Sequence, residues 1–238
     1  MIAVIPARSG SKGVLDKNIK ILDGKPLLAY SILSAKTIPL IKRVIVSTDS
    51  LKYAKIAKMY GAEVPFLRPK EISQDNSSDF DVFNHLIGWF RQNEENIPNI
   101  FVHLRPTTPL REREVLIDAI NHFLKNKHRA TSQRSCHLAP ESPFKWCFKD
   151  EKGYFKALKR GLNPENINKP RQTFPDVYIP NGYIDLINSK NILEKSMLHG
   201  EKMLVYETPF SVEVDTEDDF QYLSYKKEKT ITKKPSKT

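Results

Sequence analysis

The first eighteen residues constrain the fold more than any other stretch, because they join a buried strand to a loop of small and cationic residues. Residues 2–5 form a short, uncharged run rich in strand-forming side chains, and Pro6 ends it. An apolar strand without polar alternation is usually buried on both faces, as in a parallel sheet covered by helices. The pattern therefore predicts an α/β fold with a mostly parallel sheet flanked by helices, in which this strand starts the core.

The loop at residues 7–13, directly after this strand, brings together two glycines, two serines, Arg8 and Lys12. Small residues let backbone N–H groups approach an anion closely and the cations neutralise it, so the composition favours a phosphate site. The stretch matches neither GxGxxG nor the loop that ends in GK[ST], because it has only Gly10 and Gly13 and continues into Val14. An ordinary Gly/Ser turn with exposed cations is the alternative.

The length of the chain indicates the number of domains, and its charge indicates which kinds of ligand it could bind. A chain of 238 residues can bury one substantial core, and α/β folds of this size are commonly one domain. The net charge of +10 would suit nucleic acid, an anionic surface or a phosphorylated small substrate. About half of the surplus lies in residues 226–238, a basic tail with almost no apolar residues that is expected to be disordered. The tail lacks interleaved aromatic residues that could stack on bases, which favours a solubilising end over a nucleic-acid arm.

Cysteine usage and hydropathy predict a reduced, cytoplasmic setting. Cys136 and Cys147 are the only cysteines and form no CxxC pair, which is too few for a disulfide framework. Neither a signal peptide nor a membrane span is expected, because no basic-then-apolar leader and no window of about 18 apolar residues occurs. The six histidines are scattered without HxxxH spacing, so a zinc site has no support.

Strand and helix patterns alternate along most of the chain. Strands are predicted over residues 43–47, 63–67, 100–104, 177–179, 183–187, 202–206 and 212–215, and helices over residues 26–36, 51–60, 79–91, 115–124 and 216–225. Asp49 lies between a strand and a helix and is interpreted as the helix cap rather than a ligand. Ligands of open α/β sheets bind outside the carboxyl ends of strands, which places Arg68 near Arg8 and Lys12.

Between about residues 134 and 176 this alternation fades, and Pro, Lys, Arg and aromatic residues replace it. So long a stretch without βα rhythm is unusual inside a compact domain and predicts an excursion, such as a hairpin that pairs with another subunit. Trp146, Phe148, Tyr154 and Phe155 would give it an apolar face. A single domain is thus predicted over residues 1–225, with this excursion inside it and the tail after it.

Residues 212–215 read VEVD and place two carboxylates two positions apart. On a strand, Glu213 and Asp215 would project to the same face. Like charges there repel unless a cation lies between them, and hard oxygen ligands suit Mg²⁺, which also coordinates nucleotide phosphates. The alternative is equally open: Glu213 faces solvent and Asp215 caps the helix that begins at Thr216.

Taken in order, dispersed motifs over about residues 1–225 resemble those of the CMP-sialic acid synthetases (acylneuraminate cytidylyltransferases), and more loosely those of the CMP-3-deoxy-octulosonate synthetases. The motifs are IPARSGSKG and KN, VSTDS, FLRP with DNSS, RPTTPLR, PFK, KPRQ, PNG and VEVDTEDDF. The resemblance implies a GT-A-like (Rossmann-like) nucleotidyltransferase fold. It implies an enzyme that couples CTP to a 2-keto-3-deoxy sugar acid of the N-acylneuraminate type and releases pyrophosphate, with Mg²⁺ as cofactor. It also implies a homodimer whose excursion crosses to the partner and whose active site takes residues from both chains.

The resemblance also implies residue roles on the nucleotide side. The residues expected to bind the nucleotide are Arg8, Ser11, Lys12 and Lys17 at the triphosphate, Asn18 beside the ribose, and Arg68 and Ser77 at the cytosine. Asp215 matches the family's metal-binding pair, whereas Glu213 replaces its first Asp and would ligate through a water or not at all. Arg8, Lys12, Lys17 and Asp215 with its Mg²⁺ are therefore expected to be catalytic, because they neutralise charge on the departing pyrophosphate.

The sugar side departs further from the family. The residues expected to bind the sugar acid are Arg105, Lys145, Arg171 and Asn181. Lys145 and Arg171 match family cations, but Arg105 stands where the family has Gln, and Asp185 stands where a pocket tyrosine is usual. A carboxylate-bearing substrate needs fixed cations, and Arg105, Lys145 and Arg171 would supply them.

Two other functions are consistent with parts of the sequence. A nucleotidyltransferase for a different sugar acid, such as 3-deoxy-octulosonate, would share the loop and the metal pair while differing at the specificity positions. A non-catalytic nucleic-acid-binding protein is motivated by the charge, but the cations of the quoted loops follow strand ends rather than forming one stripe. The expected partners are therefore CTP, a sugar acid and a second copy of the chain, with no nucleic acid and no membrane.

Overall fold

A computed structural model of the protein describes residues 1–232, with side chains described through residue 226. The strands are β1 (Ile2–Pro6), β2 (Ile21–Leu22), β3 (Lys25–Pro26), β4 (Arg43–Ser47), β5 (Ile100–His103), β6 (Ser132–Leu138), β7 (Cys147–Lys149), β8 (Phe155–Ala157), β9 (Tyr178–Asn188) and β10 (Met203–Glu207). The helices are α1 (Leu27–Lys36), α2 (Leu51–Met59), α3 (Asp79–Asn93), α4 (Arg113–Asn126), α5 (Pro164–Ile167), α6 (Ser189–Lys195) and α7 (Glu217–Thr232). Short 3₁₀ turns occur at Lys17–Ile19, Lys70–Ile72, Pro143–Lys145 and Arg171–Thr173.

The central sheet of the described residues has six strands in the order β10-β6-β9-β5-β1-β4. β1 pairs in parallel with both β4 and β5, and β10 pairs in parallel with β6. β9 lies antiparallel between β5 and β6. The predicted mostly parallel sheet is confirmed, with β9 as the strand that runs the other way.

Helices cover both faces of this sheet because successive side chains of a strand point to opposite sides. Ala3 and Ile5 of β1 pack into a core with residues of α1, α2 and α4. Ile2 and Val4 pack on the other face with residues of α3 and α6. The prediction that the opening strand is buried on both faces is therefore confirmed.

Four predicted strands differ from the structure. Residues 63–67 form no ladder, since Glu63 makes one isolated bridge to Ile45. Residues 212–215 also form no strand; the Val214 N–H donates a hydrogen bond to the carbonyl of Thr107 at 2.8 Å. The strands predicted at residues 177–179 and 183–187 are one strand, β9, which continues through Pro180 and shifts register where it passes a bulge between Arg134 and Cys136 of β6. Strand identity depends on a distant partner, which local sequence does not reveal.

The excursion and the tail also differ from their predicted limits. β6 belongs to the central sheet, so the excursion begins after Leu138 rather than near residue 134, and β7 and β8 pair within it as an antiparallel hairpin. α7 extends to Thr232, where the sequence predicts a disordered tail from residue 226. Lysine and glutamate are good helix formers, and extending an existing helix needs no new nucleation. The disorder predicted for residues 233–238 concerns positions outside the described residues.

In the part of the chain described here, no helix has the length and apolar character needed to cross a membrane. Cys136 and Cys147 are both free thiols, the first buried and the second exposed.

Candidate active site

A cleft of about 560 Å³ opens where β1 and β5 end. Its walls come from the loop after β1, the loop before α3, the loop after β5 and the segment before α7. Every residue predicted for the nucleotide lines this cleft together with Asp215: Arg8, Ser11, Lys12, Lys17, Asn18, Arg68 and Ser77. The structure therefore brings together side chains from both ends of the chain, as the hypothesis of a single phosphate and metal site requires.

Asp49 holds the loop after β1 in place. Its carboxylate accepts hydrogen bonds from the Ser9 N–H at 2.8 Å and from the Ser9 hydroxyl at 2.7 Å. Burial alone would raise the pKa of Asp49, but these hydrogen bonds from Ser9 outweigh burial and hold the pKa below its usual range. The prediction that Asp49 caps the helix is wrong, because Ser50 is the cap of α2 and accepts from the Tyr53 N–H.

The loop also contacts the segment before α7. Gly13 lies directly against the backbone carbonyl of Asp215, and a Cβ atom at this position would overlap that oxygen. Lys17 then pairs with Asp215, with Nζ to Oδ1 at 2.9 Å. Glycine is therefore required at position 13 for close approach, and this approach sets the distance between the loop cations and the Asp215 carboxylate.

Arg8 and Lys12, the two cations of the loop after β1, both pair with Asp75, a carboxylate that was not predicted to belong to the site. Arg8 Nη2 lies 2.6 Å from Asp75 Oδ1, and Lys12 pairs with the other oxygen of Asp75. The hydrogen bond from Lys12 lowers the pKa of Asp75, and Arg8 adds to this. Asp75 falls within the quoted DNSS motif, but its ion pairs depend on the folding of the loop before α3 against the loop after β1. The carboxylate occupies the place where an anionic ligand would meet both cations.

The guanidinium group of Arg68 is a buried hydrogen-bond donor in the same cleft. The residue is 5% exposed, and its Nε donates to the Ser73 hydroxyl at 3.0 Å. Its Nη2 is buried and has no hydrogen-bond partner among the described residues. Burial lowers the pKa of Arg68. An unpaired buried donor is costly, so this guanidinium is suited to a polar ligand group.

Ser77 and Asn18 have structural contacts in addition to lining the cleft. The Ser77 hydroxyl accepts from the Gln74 N–H at 2.8 Å. The Asn18 amide donates to the Arg8 carbonyl at 2.9 Å and thereby holds the first loop against the turn that follows it. Both residues therefore shape the walls that face the cleft.

Comparison with known proteins identifies the family of the chain. Residues 2–157 match a family model described as cytidylyltransferase, which is more than half of the chain. The chain belongs to the cytidylyltransferase family. The family resemblance predicted from the motifs is therefore confirmed.

Two curated relatives of the chain are bacterial proteins. The N-acylneuraminate cytidylyltransferase of Escherichia coli is 31% identical over 240 residues, covering 93% of this chain and 50% of the relative. The CMP-N,N'-diacetyllegionaminic acid synthase of Legionella pneumophila is 30% identical, covering 92% of this chain and 93% of the relative. The chain thus spans about half the length of the first relative and nearly all of the second.

A solved structure supports the same fold. The structure of a CMP:2-keto-3-deoxy-manno-octonic acid synthetase complexed with CTP superposes with a TM-score of 0.70 at 15% identity, covering 96% of this chain and 98% of that one. The predicted α/β nucleotidyltransferase fold is confirmed.

The two carboxylates of the VEVD segment differ in position. The Asp215 side chain is 70% exposed and lines the cleft. Glu213 does not line it and accepts a hydrogen bond from the Thr107 hydroxyl at 2.9 Å. Asp215 is not the cap of α7, since Asp219 exchanges hydrogen bonds with Thr216 there. Among the described residues, no cluster of three or more His, Cys, Asp or Glu side chains could hold a metal.

Three of the residues predicted for the sugar acid lie outside the cleft of their own chain. Lys145 is exposed in the excursion. Arg171 donates to the carbonyls of Pro140 and Ala139, both at 2.8 Å. Asn181 is buried in the sheet, where it donates to the Thr208 hydroxyl at 3.0 Å. Only Arg105 of this predicted group lines the cleft.

Arg105 belongs to a charged group at the end of β5. It pairs with Asp79 at 2.7 Å and with Asp185 at 3.1 Å. His103 lies between the same carboxylates, with Nδ1 3.5 Å from Asp185 and Nε2 4.0 Å from Asp79. Sequence reasoning missed Asp79 and His103. For His103, the available signal was a histidine as the last residue of an otherwise apolar strand, which indicates a polar group at the edge of the sheet.

Proposed function

We propose that the protein couples CTP to a 2-keto-3-deoxy sugar acid of the nonulosonate type and releases pyrophosphate. The convergence of Lys12, Lys17 and Asp215 in one cleft is the observation that carries this proposal. The relatives named above supply the substrate class, since one is named for an N-acylneuraminate and the other for a diacetyllegionaminic acid.

In the proposed reaction the anomeric hydroxyl oxygen of the sugar acid forms a bond to the α-phosphorus of CTP. The bond from that phosphorus to the bridging oxygen breaks, pyrophosphate leaves with the electron pair, and the hydroxyl proton is released. Arg8, Lys12 and Lys17 would neutralise the charge that grows on the leaving group, a stabilisation typically worth several kcal/mol. The nucleotide would displace Asp75 from Arg8 and Lys12, because its phosphates compete for the same cations.

The lining of the cleft supports the remaining nucleotide contacts that we propose. Arg68 would donate its unpartnered Nη2 to the cytosine, whose carbonyl and ring nitrogen are hydrogen-bond acceptors. Asn18 would lie beside the ribose, and Ser11 and Ser77 would complete the polar wall. These roles remain predictions.

Mg²⁺ is the proposed cofactor, and when bound it would neutralise phosphate charge and polarise the phosphorus–oxygen bonds. The chain's donors fit this ion, because Mg²⁺ in nucleotide sites is usually held by one or two carboxylates together with the substrate's phosphates. Asp215 would hold it, since its carboxylate is exposed in the cleft. Glu213 is turned to Thr107 and would contribute through a water.

We also propose that two copies of the chain form a homodimer through the excursion. Its hairpin exposes large apolar side chains: Trp146 at 48%, Phe148 at 56% and Tyr154 at 69%. An exposed apolar group of this size is typical of an interface. Lys145 and Arg171 would then serve the neighbouring copy's cleft. Sedimentation of the wild type and of Trp146→Ser/Phe148→Ser tests this, and a monomeric wild type would refute it.

A substrate panel tests the proposed reaction. Pyrophosphate release is measured with CTP, UTP or GTP against N-acylneuraminate, diacetylated nonulosonates and 3-deoxy-octulosonate. We expect release with CTP and at least one nonulosonate. Release only with 3-deoxy-octulosonate would assign the chain to the other acceptor class, and no release with any combination would refute the proposal.

A further inference from the structure

The charged group at the end of β5 differs from an ordinary carboxylate-binding site. Arg105 is its cation that lines the cleft, with a side chain 19% exposed. Its two terminal nitrogens are both used by carboxylates, Nη2 by Asp79 and Nη1 by Asp185. A substrate carboxylate would have to break one of these ion pairs to bind Arg105.

The charge of Arg105 is already compensated. Asp79 and Asp185 both form ion pairs with its guanidinium, so this cation is not free to attract an anion. The ion pair with Asp185 is also buried, because the Asp185 side chain is fully inaccessible. Removing one partner of a buried pair would leave the other charge uncompensated, which is strongly unfavourable.

His103 is a further polar member of this group. The residue is 1% exposed and lies beside the cleft. Its ring nitrogens face the two carboxylates at long distances, with Nδ1 3.5 Å from Asp185 and Nε2 4.0 Å from Asp79. The ring contacts Phe83 edge to face, with centroids 5.2 Å apart, so packing holds its orientation. The group is therefore a loosely paired polar network whose accessible member is Asp79, with a side chain 35% exposed.

Resting on the proposed function, we infer that Arg105 does not bind the carboxylate of the sugar acid. The group formed by Asp79, His103, Arg105 and Asp185 instead selects the uncharged hydroxyl and amide groups of the sugar, and Asp185 is the residue that positions Arg105. Asp79 supplies the acceptor, since it lines the cleft with a side chain 35% exposed while its Oδ2 accepts from Arg105. The carboxylate of the sugar acid is then bound elsewhere.

The test compares a sugar acid with its carboxamide, which keeps every hydroxyl and amide but lacks the negative charge. KM for the acid and KM or Ki for the carboxamide are measured in the wild type and in Arg105→Gln/Asp185→Asn. This double variant removes the ion pair without changing the net charge. A side chain that binds the carboxylate would discriminate the two compounds, and its loss would reduce the ratio of their constants.

We expect both constants to rise together, on the order of tenfold, with their ratio unchanged within about twofold. A ratio that falls tenfold or more in the double variant would overturn the inference, because Arg105 would then bind the carboxylate. Unchanged constants for both compounds would also overturn it, because the group would not contact the sugar.

Further variants separate this inference from folding defects. Asp79→Asn keeps the pair between Arg105 and Asp185, and we expect it too to weaken acid and carboxamide by the same factor. Arg113→Gln is the matched control, since Arg113 lies on α4, donates to the Thr37 carbonyl at 3.1 Å and does not line the cleft. CTP binding and thermal melting report whether each variant folds. If the wild type releases no pyrophosphate with any sugar acid, the proposed function itself fails.

Discussion

Gly13→Ala tests whether the contact between the loop after β1 and the segment before α7 sets the catalytic geometry. The added Cβ would overlap the carbonyl oxygen of Asp215, which is backbone and has no rotamer to adopt. The chain must therefore separate at this point. Val14 and Val214 lie immediately beside the contact and pack in one small core with Phe220, so the separation also loosens that core.

The size of the effect follows from this geometry. Real Cβ atoms essentially never come within 3.0 Å of such an atom. We therefore expect residue 13 and the backbone of Asp215 to move about 1 Å apart. Inserting one carbon into a packed contact usually costs about 1–3 kcal/mol of unfolding free energy. For a domain of this length that corresponds to a fall in Tm of roughly 3–9 °C. The same shift moves Asp215 relative to Lys12 and Lys17, and a misplacement of about 1 Å can lower turnover by about 100-fold.

Two measurements check this prediction, thermal melting and pyrophosphate release at saturating CTP. Gly88→Ala is the control, because Gly88 lies in α3 and an added Cβ meets no atom within 4 Å. We expect that control to gain about 0.5–1 kcal/mol of stability from helix propensity and to keep wild-type turnover. Gly13→Ala with both wild-type Tm and wild-type turnover would refute the assigned role of the contact.

Three further predictions concern charged residues of the cleft. Lys12→Ala should leave Tm nearly unchanged, because the side chain is 83% exposed, but should lower turnover by about 100-fold or more; wild-type pyrophosphate release would reject the phosphate role. Asp75→Asn should lower KM for CTP by about two- to fivefold by removing a competitor for Arg8 and Lys12, and a raised KM would show that Asp75 assists binding. Burial alone would raise the pKa of Asp79, but His103 and Arg105 hold it at about 2. The ionised Asp79 carboxylate therefore contributes its full stabilisation of the fold above its ordinary pKa of 3.8, and this contribution is lost as the pH falls toward 2. In acid denaturation experiments between these pH values, the unfolding free energy of Asp79→Asn should therefore fall less steeply with pH than that of the wild type.

Much of the fold could be predicted from local sequence, because apolar periodicity is itself local. The strand predicted at residues 43–47 is β4, and the helix predicted at residues 26–36 agrees with α1 within one residue. The errors occur where a partner decides the structure. Residues 212–215 have strand character but bond to Thr107 at one point only, and Pro180 does not interrupt β9 because β6 bulges beside it.

The candidate site shows the same division between local and non-local information. The composition of the loop after β1 predicts phosphate binding, and its cations line the cleft. Asp49 and Asp75 could not be assigned in this way, because their roles are defined by Ser9, Arg8 and Lys12 in a different loop. A carboxylate in sequence has many possible partners, and the fold selects among them.

Arg105 shows why the residues proposed to contact the sugar acid were harder to predict than those proposed to contact the nucleotide. Lys12 is largely solvated, so its charge is tolerated whatever the residues around it, and its role can be predicted from its own loop. Arg105 pairs with a fully buried carboxylate, so its charge is tolerated only together with Asp185. Local sequence treats Arg105 and Asp185 as separate residues, whereas the structure joins them in one ion pair. Considered alone, Arg105 looks like a free cation for the sugar carboxylate; considered with Asp79 and Asp185, it is a hydrogen-bonding element whose charge is already neutralised.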